Sequence, residues 1–244
     1  MNELTKIAAA NQQRACEVIR DSGLEAAWRS VGAEPNLVGS LRTGLLMTHR
    51  DIDFHIYSSP LRLADSFAAM ARLAENNRIR SITFNNLLDA PDQCLEWHAW
   101  YADADAQLWQ IDMIHMPKGS AYDGYFERVA DRIAAVLTDR TRETILRLKY
   151  ETPEAEKIMG IEYYQAVLRD GVGTYAEFEA WRAAHPVTGI LEWMPLTKVE
   201  PRPAREGIGT GSREQGRQWR NTRRQYRAFN TVHQAIRHPR ARSA

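Results

Sequence analysis

The chain has 244 residues, 26% of them charged, with 32 Lys and Arg against 31 Asp and Glu and a formal net charge of +1. That length allows one full domain and a smaller second one, and the lack of any apolar run near membrane-spanning length excludes a spanning helix and predicts no membrane partner. The two cysteines, Cys16 and Cys94, lie far apart and outside any Cys/His cluster, which excludes a disulfide scaffold and predicts small buried hydrophobes in a reduced, cytoplasmic protein.

The amino terminus, Met1-Asn2-Glu3-Leu4-Thr5-Lys6, has no basic region followed by an apolar core, so no secretory signal is expected. Residues 3–20 read as a helix, because Leu4, Ile7, Ala8, Ala15 and Ile19 recur at helical spacing and Gly23 can stop it. Leu24 to Trp28 add a further turn or two. Gly32 and Pro35 lead into a short apolar run, Asn36-Leu37-Val38, that ends in Gly39-Ser40. From Arg50 to Tyr57 the chain alternates, with Asp51, Asp53 and His55 set against Ile52, Phe54 and Ile56, and a period of two predicts a strand. On a strand, positions two apart share a face, so both carboxylates project together, roughly 6–7 Å apart. Two acids so placed repel unless a cation lies between them, and hard dications such as Mg²⁺ take such oxygen ligands while keeping room for substrate phosphates.

Ser58-Ser59-Pro60 is read as the start of the next helix, with Leu63, Phe67, Met70 and Ala74 as its apolar stripe and Asn76-Asn77 at its end. Residues 79–88 are strand-like, and Asp89-Ala90-Pro91-Asp92 is a turn. Residues 94–101 form a strand with Leu95, Trp97, Ala99 and Tyr101 on one side and Glu96, His98 and Trp100 on the other. Asp103-Ala104-Asp105-Ala106 is a hairpin turn, and residues 108–115 are the partner strand. Asp112 sits in the middle of that strand, between Ile111 and Met113, where an acid is rarely placed without a reason.

The rest of the body reads as helical. Tyr122, Tyr125, Phe126, Val129, Ile133, Val136 and Leu137 make a wide stripe. Thr152-Pro153 fits the N-cap and first position of a helix running through Ile158, Ile161, Tyr164 and Leu168 to Gly171. Thr174-Tyr175-Ala176-Glu177 is a capping box for a helix bearing Phe178 and Trp181, stopped by Pro186. From Val199 the character changes to Pro, Gly and Arg. Residues 201–244 hold eleven Arg and two Glu, leaving 21 basic and 29 acidic side chains in the body. That tail is expected to be disordered and dispensable for folding. Its Trp219, Tyr226 and Phe229 offer the alternative of stacking on bases.

Gly39, Ser40, Gly44, Asp51 and Asp53 together resemble the signature of the nucleotidyltransferase (DNA polymerase β-like) superfamily: a Gly-Ser, a second Gly five positions after the first, and an Asp pair twelve and fourteen positions after it. Two positions depart from the pattern. Arg50 precedes the Asp pair where a small residue is common, and the basic residue of the turn is Arg42 rather than its neighbour Thr43. The resemblance implies an α/β (α+β) fold, a nucleotidyltransferase-like mixed sheet with helices on one face. It divides the chain into a catalytic domain over 1–138, a small helical region over 139–198 and the basic tail over 199–244. It also implies a third carboxylate on a later strand, for which Asp112 is the candidate. Asp51, Asp53 and Asp112 are then both the catalytic and the metal-binding residues, for two Mg²⁺ ions with Mn²⁺ as the substitute.

The implied reaction is transfer of a nucleoside monophosphate from an NTP, ATP foremost, to a hydroxyl acceptor with release of pyrophosphate. A triphosphate brings about four negative charges, so carboxylates can hold it only through metal ions. Gly39 would let the backbone approach the phosphates, and Ser40 would offer its hydroxyl and N–H. Arg42 is the expected charge partner of the leaving pyrophosphate, with Lys149 and Lys157 within reach on the following helices. Asp112 could accept the acceptor's proton. His55 could orient acceptor or carboxylate, Glu96 and His98 could line the same cleft, and Trp100 could wall a base. The acidic body favours a small-molecule acceptor over RNA or protein, and a homodimer is compatible with the sequence. The alternatives are nucleotidyl transfer to RNA or protein, for which the basic tail would help, and a non-catalytic binding module, against which the intact set of three acids argues.

Overall fold

In the computed structural model, residues 2–90, 93–187 and 191–196 are described. The expectation of a disordered tail over 199–244 lies outside the described residues. Helix α1 (Glu3–Ser22) is capped by the Asn2 side chain and ends at Gly23, whose left-handed backbone (φ 72°) turns the chain directly into α2 (Leu24–Arg29). Strand β1 (Glu34–Leu37), the one-turn helix α3 (Gly39–Arg42), β2 (Asp51–Ser58), α4 (Leu63–Ala74), β3 (Ile79–Leu87), β4 (Cys94–Ala102) and β5 (Leu108–Pro117) follow. The carboxy-terminal part contains α5 (Tyr125–Val136), α6 (Asp139–Glu151), α7 (Gly160–Leu168) and α8 (Tyr175–Ala184). The elements through Arg182 belong to one compact unit. No helix among the described residues is long and apolar enough to cross a membrane.

The five strands form one mixed sheet in the order β1-β2-β5-β4-β3, in which only β2 and β5 run parallel. Registers make each face legible. On one face the rows Ile52–Ile111–Ala99 and Phe54–Met113–Trp97 lie across β2, β5 and β4. They pack against Ala15 and Val18 of α1, Leu24 and Trp28 of α2, and Ala69, Met70 and Leu73 of α4. Each such buried side chain contributes about 1.5–3 kcal/mol, and this apolar layer is what fixes the strand phase. The second core joins α5, α6, α7 and α8 through Val129, Ile133, Ile145, Leu148, Tyr164 and Phe178.

Several local expectations are corrected. Helix α4 begins at Leu63 rather than at Ser58, which still pairs with Pro117 in the sheet. Its buried side is Ser66, Ala69, Met70 and Leu73, whereas Leu63 and Phe67 are exposed. The reason is tertiary: the Ser66 hydroxyl accepts from Trp97 Nε1 at 2.8 Å and meets His115 Nδ1 at 3.1 Å, so a polar residue is satisfied inside the core. Thr152 is not an N-cap but the C-cap of α6, with its hydroxyl on the Leu148 carbonyl and on Tyr163; α7 starts only at Gly160. The capping box at Thr174 is as expected, with reciprocal bonds between Thr174 and Glu177. Cys94 is buried but Cys16 is exposed, on the outer side of α1.

Candidate active site

The second face of the sheet carries three polar rows, read from the same registers. Asp51 pairs with Gln110 and Gln110 with Trp100; Asp53 pairs with Asp112 and Asp112 with His98; His55 pairs with Ile114 and Ile114 with Glu96. Paired residues share a face. Asp51, Asp53, Asp112, His98 and Glu96 are therefore brought together on the side away from α1, α2 and α4.

Helix α3 delivers the Gly-Ser turn to this patch. Val38 N–H donates to the Asp53 carbonyl at 2.9 Å, so the chain leaves β1 still paired to β2. Gly39 then takes φ +66°, and a Cβ built there would lie 1.9 Å from Asp53 Oδ2. Only the missing side chain allows the turn to close on that carboxylate. The Ser40 N–H, expected for a phosphate, is held by Asp53. The Ser40 hydroxyl accepts from Lys149 Nζ at 2.7 Å and lies 3.3 Å from the Tyr164 hydroxyl. Gly160 leaves room for that arrangement, since a Cβ there would come within 3.0 Å of the Tyr164 hydroxyl and 3.4 Å of Ser40 Oγ.

Lys149 is thus in the site, on α6, and its Nζ also donates to the Leu45 carbonyl at 3.0 Å. Lys157 is exposed on the segment between α6 and α7. Arg42 is also placed elsewhere, which corrects the expectation that it meets the pyrophosphate. Its guanidinium makes a two-pronged pair with Asp131 of α5, at 2.8 and 2.9 Å, and a third bond to the Leu37 carbonyl. That pins α3 to α5 and leaves the charge engaged. Lys149→Met keeps the aliphatic stem and removes both charged hydrogen bonds. A hydrogen bond from a charged group contributes about 1.5–3 kcal/mol, so a melting temperature lower by about 5 °C is expected, together with at least tenfold weaker ATP·Mg²⁺ binding in a fluorescence titration.

The acids are electrostatically strained. Burial raises the pKa of Asp51, against the pull of Lys149, with Asp112 raising it further. Asp53 is pushed well above the ordinary carboxylate range, first by burial and then by Asp51 and Asp112, while Lys149 and the Ser40 N–H oppose the rise. His49, which the sequence reading passed over, lies close enough to favour ionised Asp51. This excess of buried negative charge is the condition that a hard dication relieves, and the oxygen donors are of the right kind.

Even so, no three His, Cys, Asp or Glu side chains among the described residues converge as a ready cation cage. The expectation that Asp51, Asp53 and Asp112 surround a common ion is not met as these side chains stand. Asp112 Oδ1 meets His98 Nδ1 at 2.5 Å and accepts from Gln110 Nε2 at 2.8 Å. Asp51 and Asp53 fit a cation whose remaining ligands are substrate oxygens, the usual arrangement for Mg²⁺.

His98 is 7% exposed and Glu96 8%. The other ring nitrogen of His98 faces Glu96 Oε1 at 3.3 Å, and Glu96 Oε2 accepts from Asn85. Burial disfavours the charged ring, but Asp112 and Glu96 together outweigh it and push the pKa up to about 9. His55 is different. Burial alone pushes it down to about 4, and its ring packs edge-on to Phe126 at 4.8 Å, so it is a neutral packed histidine near neutral pH. Trp100 lies on the site face, half-buried, with its ring 6.2 Å from that of His98. Tyr164 had no signal in the sequence as a site residue, because only the tertiary fold brings it to Ser40, whereas Gln110 shares the Asp112 face of β5 by the strand's period of two.

No protein-family model matches the chain, and no curated protein sequence does. Solved structures do. The non-canonical poly(A) polymerase complex GLD-2–GLD-3 aligns over 69% of this chain and 58% of that one, at 12% identity and a TM-score of 0.43. A cytoplasmic RNA terminal U-transferase aligns over 68% and 51%, at 14% identity and 0.44. Cid1, which has RNA terminal uridylyl transferase activity, aligns over 68% and 54%, at 15% identity and 0.49. The chain therefore spans between half and three fifths of these structures' lengths. What the cleft does follows from its own residues.

Proposed function

We propose that this cleft transfers a nucleoside monophosphate from an NTP to a hydroxyl acceptor, with a divalent cation and release of pyrophosphate. The observation that carries the reading is the convergence of Asp51, Asp53 and Asp112 on one sheet face against the Gly39-Ser40 turn, with burial and mutual repulsion holding Asp51 and Asp53 above their ordinary pKa. Mg²⁺, once bound, would neutralise charge on the transferring phosphate. Asp51 and Asp53 would hold it. Gly39 lets the turn close on the Asp53 carboxylate, and Lys149 with the Ser40 hydroxyl would supply positive charge and a donor for the phosphates. The acceptor oxygen forms its bond to the α-phosphorus as the bond to the β-phosphate oxygen breaks. Asp112 is the base for the acceptor's proton, through the oxygen that His98 and Gln110 leave open.

For the acceptor, composition favours RNA: eleven Arg with Trp219, Tyr226 and Phe229 in residues 201–244 suit a nucleic-acid backbone and its bases. That content is set against the acidic body, from which a small-molecule acceptor was expected. An RNA 3′ hydroxyl is placed first. The test incubates the protein with Mg²⁺, each of the four NTPs, and either a short RNA or a panel of hydroxylated small molecules. Mass spectrometry should show the RNA lengthened by one or more nucleotides, with pyrophosphate released. Addition to a small molecule instead would move the acceptor; no release with any pair would remove the reading.

A further inference from the structure

Three tryptophans lie on β4 and β5, and one of them adds to no core. Trp97 and Trp109 are 3% and 0% exposed, in the apolar layer beneath α1, α2 and α4. Trp100 points the other way. It is half-buried and belongs to none of the apolar clusters of the described residues. Register puts it in the row of Asp51 and Gln110, one step along β4 from the His98–Asp112 pair. Such a diagonal spans about 7–8 Å, within reach of an aromatic side chain. Beyond it, at the sheet edge, Ser81 and Thr83 of β3 pair with Trp100 and His98, and both are exposed.

The line of the reaction decides what would lie on this ring. The Gly39-Ser40 turn, with Lys149 bonded to it, leaves β1 beside Asp53. Strands β1 and β4 flank the β2–β5 pair that carries the acids, on opposite sides. Attacking and leaving oxygens at a transferring phosphorus are roughly in line. A triphosphate held at the turn therefore takes its acceptor from the far side, across Asp112 and over β4. There Glu96 and His98 are engaged with each other and with Asp112, and Trp100 is the aromatic surface next to them. An indole face flanked by the Ser81 and Thr83 hydroxyls and the Gln110 amide suits a nucleobase, and stacking accepts every base because each has a π-face. We propose that Trp100 is the platform on which the 3′-terminal base of an RNA acceptor stacks, setting the hydroxyl of that nucleotide beside Asp112. The inference rests on the nucleotidyl-transfer reading of the cleft. Binding should depend on the presence of a terminal base more than on its identity.

The experiment reads binding first, without NTP. A short oligouridine ending in 2-aminopurine, a base analogue whose fluorescence is quenched by stacking, is titrated with wild type, Trp100→Ala and Trp100→Phe. Wild type should quench it. Trp100→Ala should bind about tenfold or more weakly, with the quenching lost, and Trp100→Phe should restore most of both. The same oligouridine ending in an abasic nucleotide needs no variant: wild type should bind it as weakly as Trp100→Ala binds the 2-aminopurine RNA. With Mg²⁺ and NTP, the KM for RNA should rise in Trp100→Ala while the KM for NTP holds, a split that a general loss of structure does not produce. The inference is overturned if wild type does not bind the RNA, if the abasic RNA binds wild type as well as the 2-aminopurine RNA, or if a folded Trp100→Ala quenches like wild type. It is also overturned if the acceptor proves to be a cationic small molecule whose use is lost in Trp100→Ala, which would put a cation over the ring instead of a base. RNA that binds and stacks but is extended with no NTP would keep the platform and remove the transfer reading.

Discussion

Gly39→Ala should lose transfer activity by about a hundredfold or more while the protein stays folded. The methyl group would stand 1.9 Å from Asp53 Oδ2 and 2.7 Å from its Cγ, distances no contact tolerates. Asp53 must rotate or the turn must shift, and a displacement of about 1 Å at reacting groups can cost 10²-fold. The backbone adds a second effect, since φ is +66° and a left-handed residue with a Cβ is strained by about 1–2 kcal/mol. Gly32→Ala separates the two. Its φ is +77°, and a Cβ there meets nothing within 4 Å, so it carries the backbone strain alone. Both variants should melt a few degrees lower, and only Gly39→Ala should lose activity. Equal activity losses would show that Gly39 matters through stability and not through Asp53.

The contrast between these two glycines marks what the sequence could and could not tell. The spacing of Gly39, Gly44, Asp51 and Asp53 is local, and the alternation through β2 puts both acids on the face opposite Ile52 and Phe54, as the burial of the apolar pair confirms. Asp112 was legible for the same reason: its neighbours Ile111 and Met113 face the core. What the sequence hid depends on partners far along the chain. Arg42 is taken by Asp131, 89 residues later, and no local pattern announces that pair. Lys149 was a candidate alongside Lys157, and what the sequence could not show is its pairing with Ser40 and Leu45, more than 100 residues earlier. In α4 two stripes of similar quality compete, and the buried one includes Ser66, whose acceptability depends on Trp97 and His115. Thr152-Pro153 satisfied a helix-start pattern, but Thr152 completes α6 instead by bonding back to Leu148.

Asp53→Asn should abolish nucleotidyl transfer and leave the metal-free protein at least as stable as wild type. Asn has the size of Asp and lacks the charge that holds a hard dication, so charge on the transferring phosphate goes unneutralised. The stability side follows from linkage. Burial, Asp51 and Asp112 raise the folded pKa of Asp53 well above its ordinary 3.8. In the window between 3.8 and that raised value, the folded state holds a proton that the unfolded chain has released. Stability from this group is therefore full below pH 3.8 and is lost as pH rises through the folded pKa. At neutral pH the wild type bears this loss and the Asn variant does not. Removing the charge also relieves Asp51. The measurement pairs two readouts: melting temperature of the metal-free proteins from pH 4 to about 8, across the window set by linkage, and pyrophosphate release with Mg²⁺ and an accepted NTP. The melting advantage of Asp53→Asn should grow with pH and shrink when Mg²⁺ is added to the wild type, while its turnover is absent throughout. Wild-type turnover in the variant would mean that Asp51 and Asp53 do not hold the cation. A variant that melts far below wild type at every pH would make Asp53 structural, held in place by the Ser40 N–H rather than for a metal.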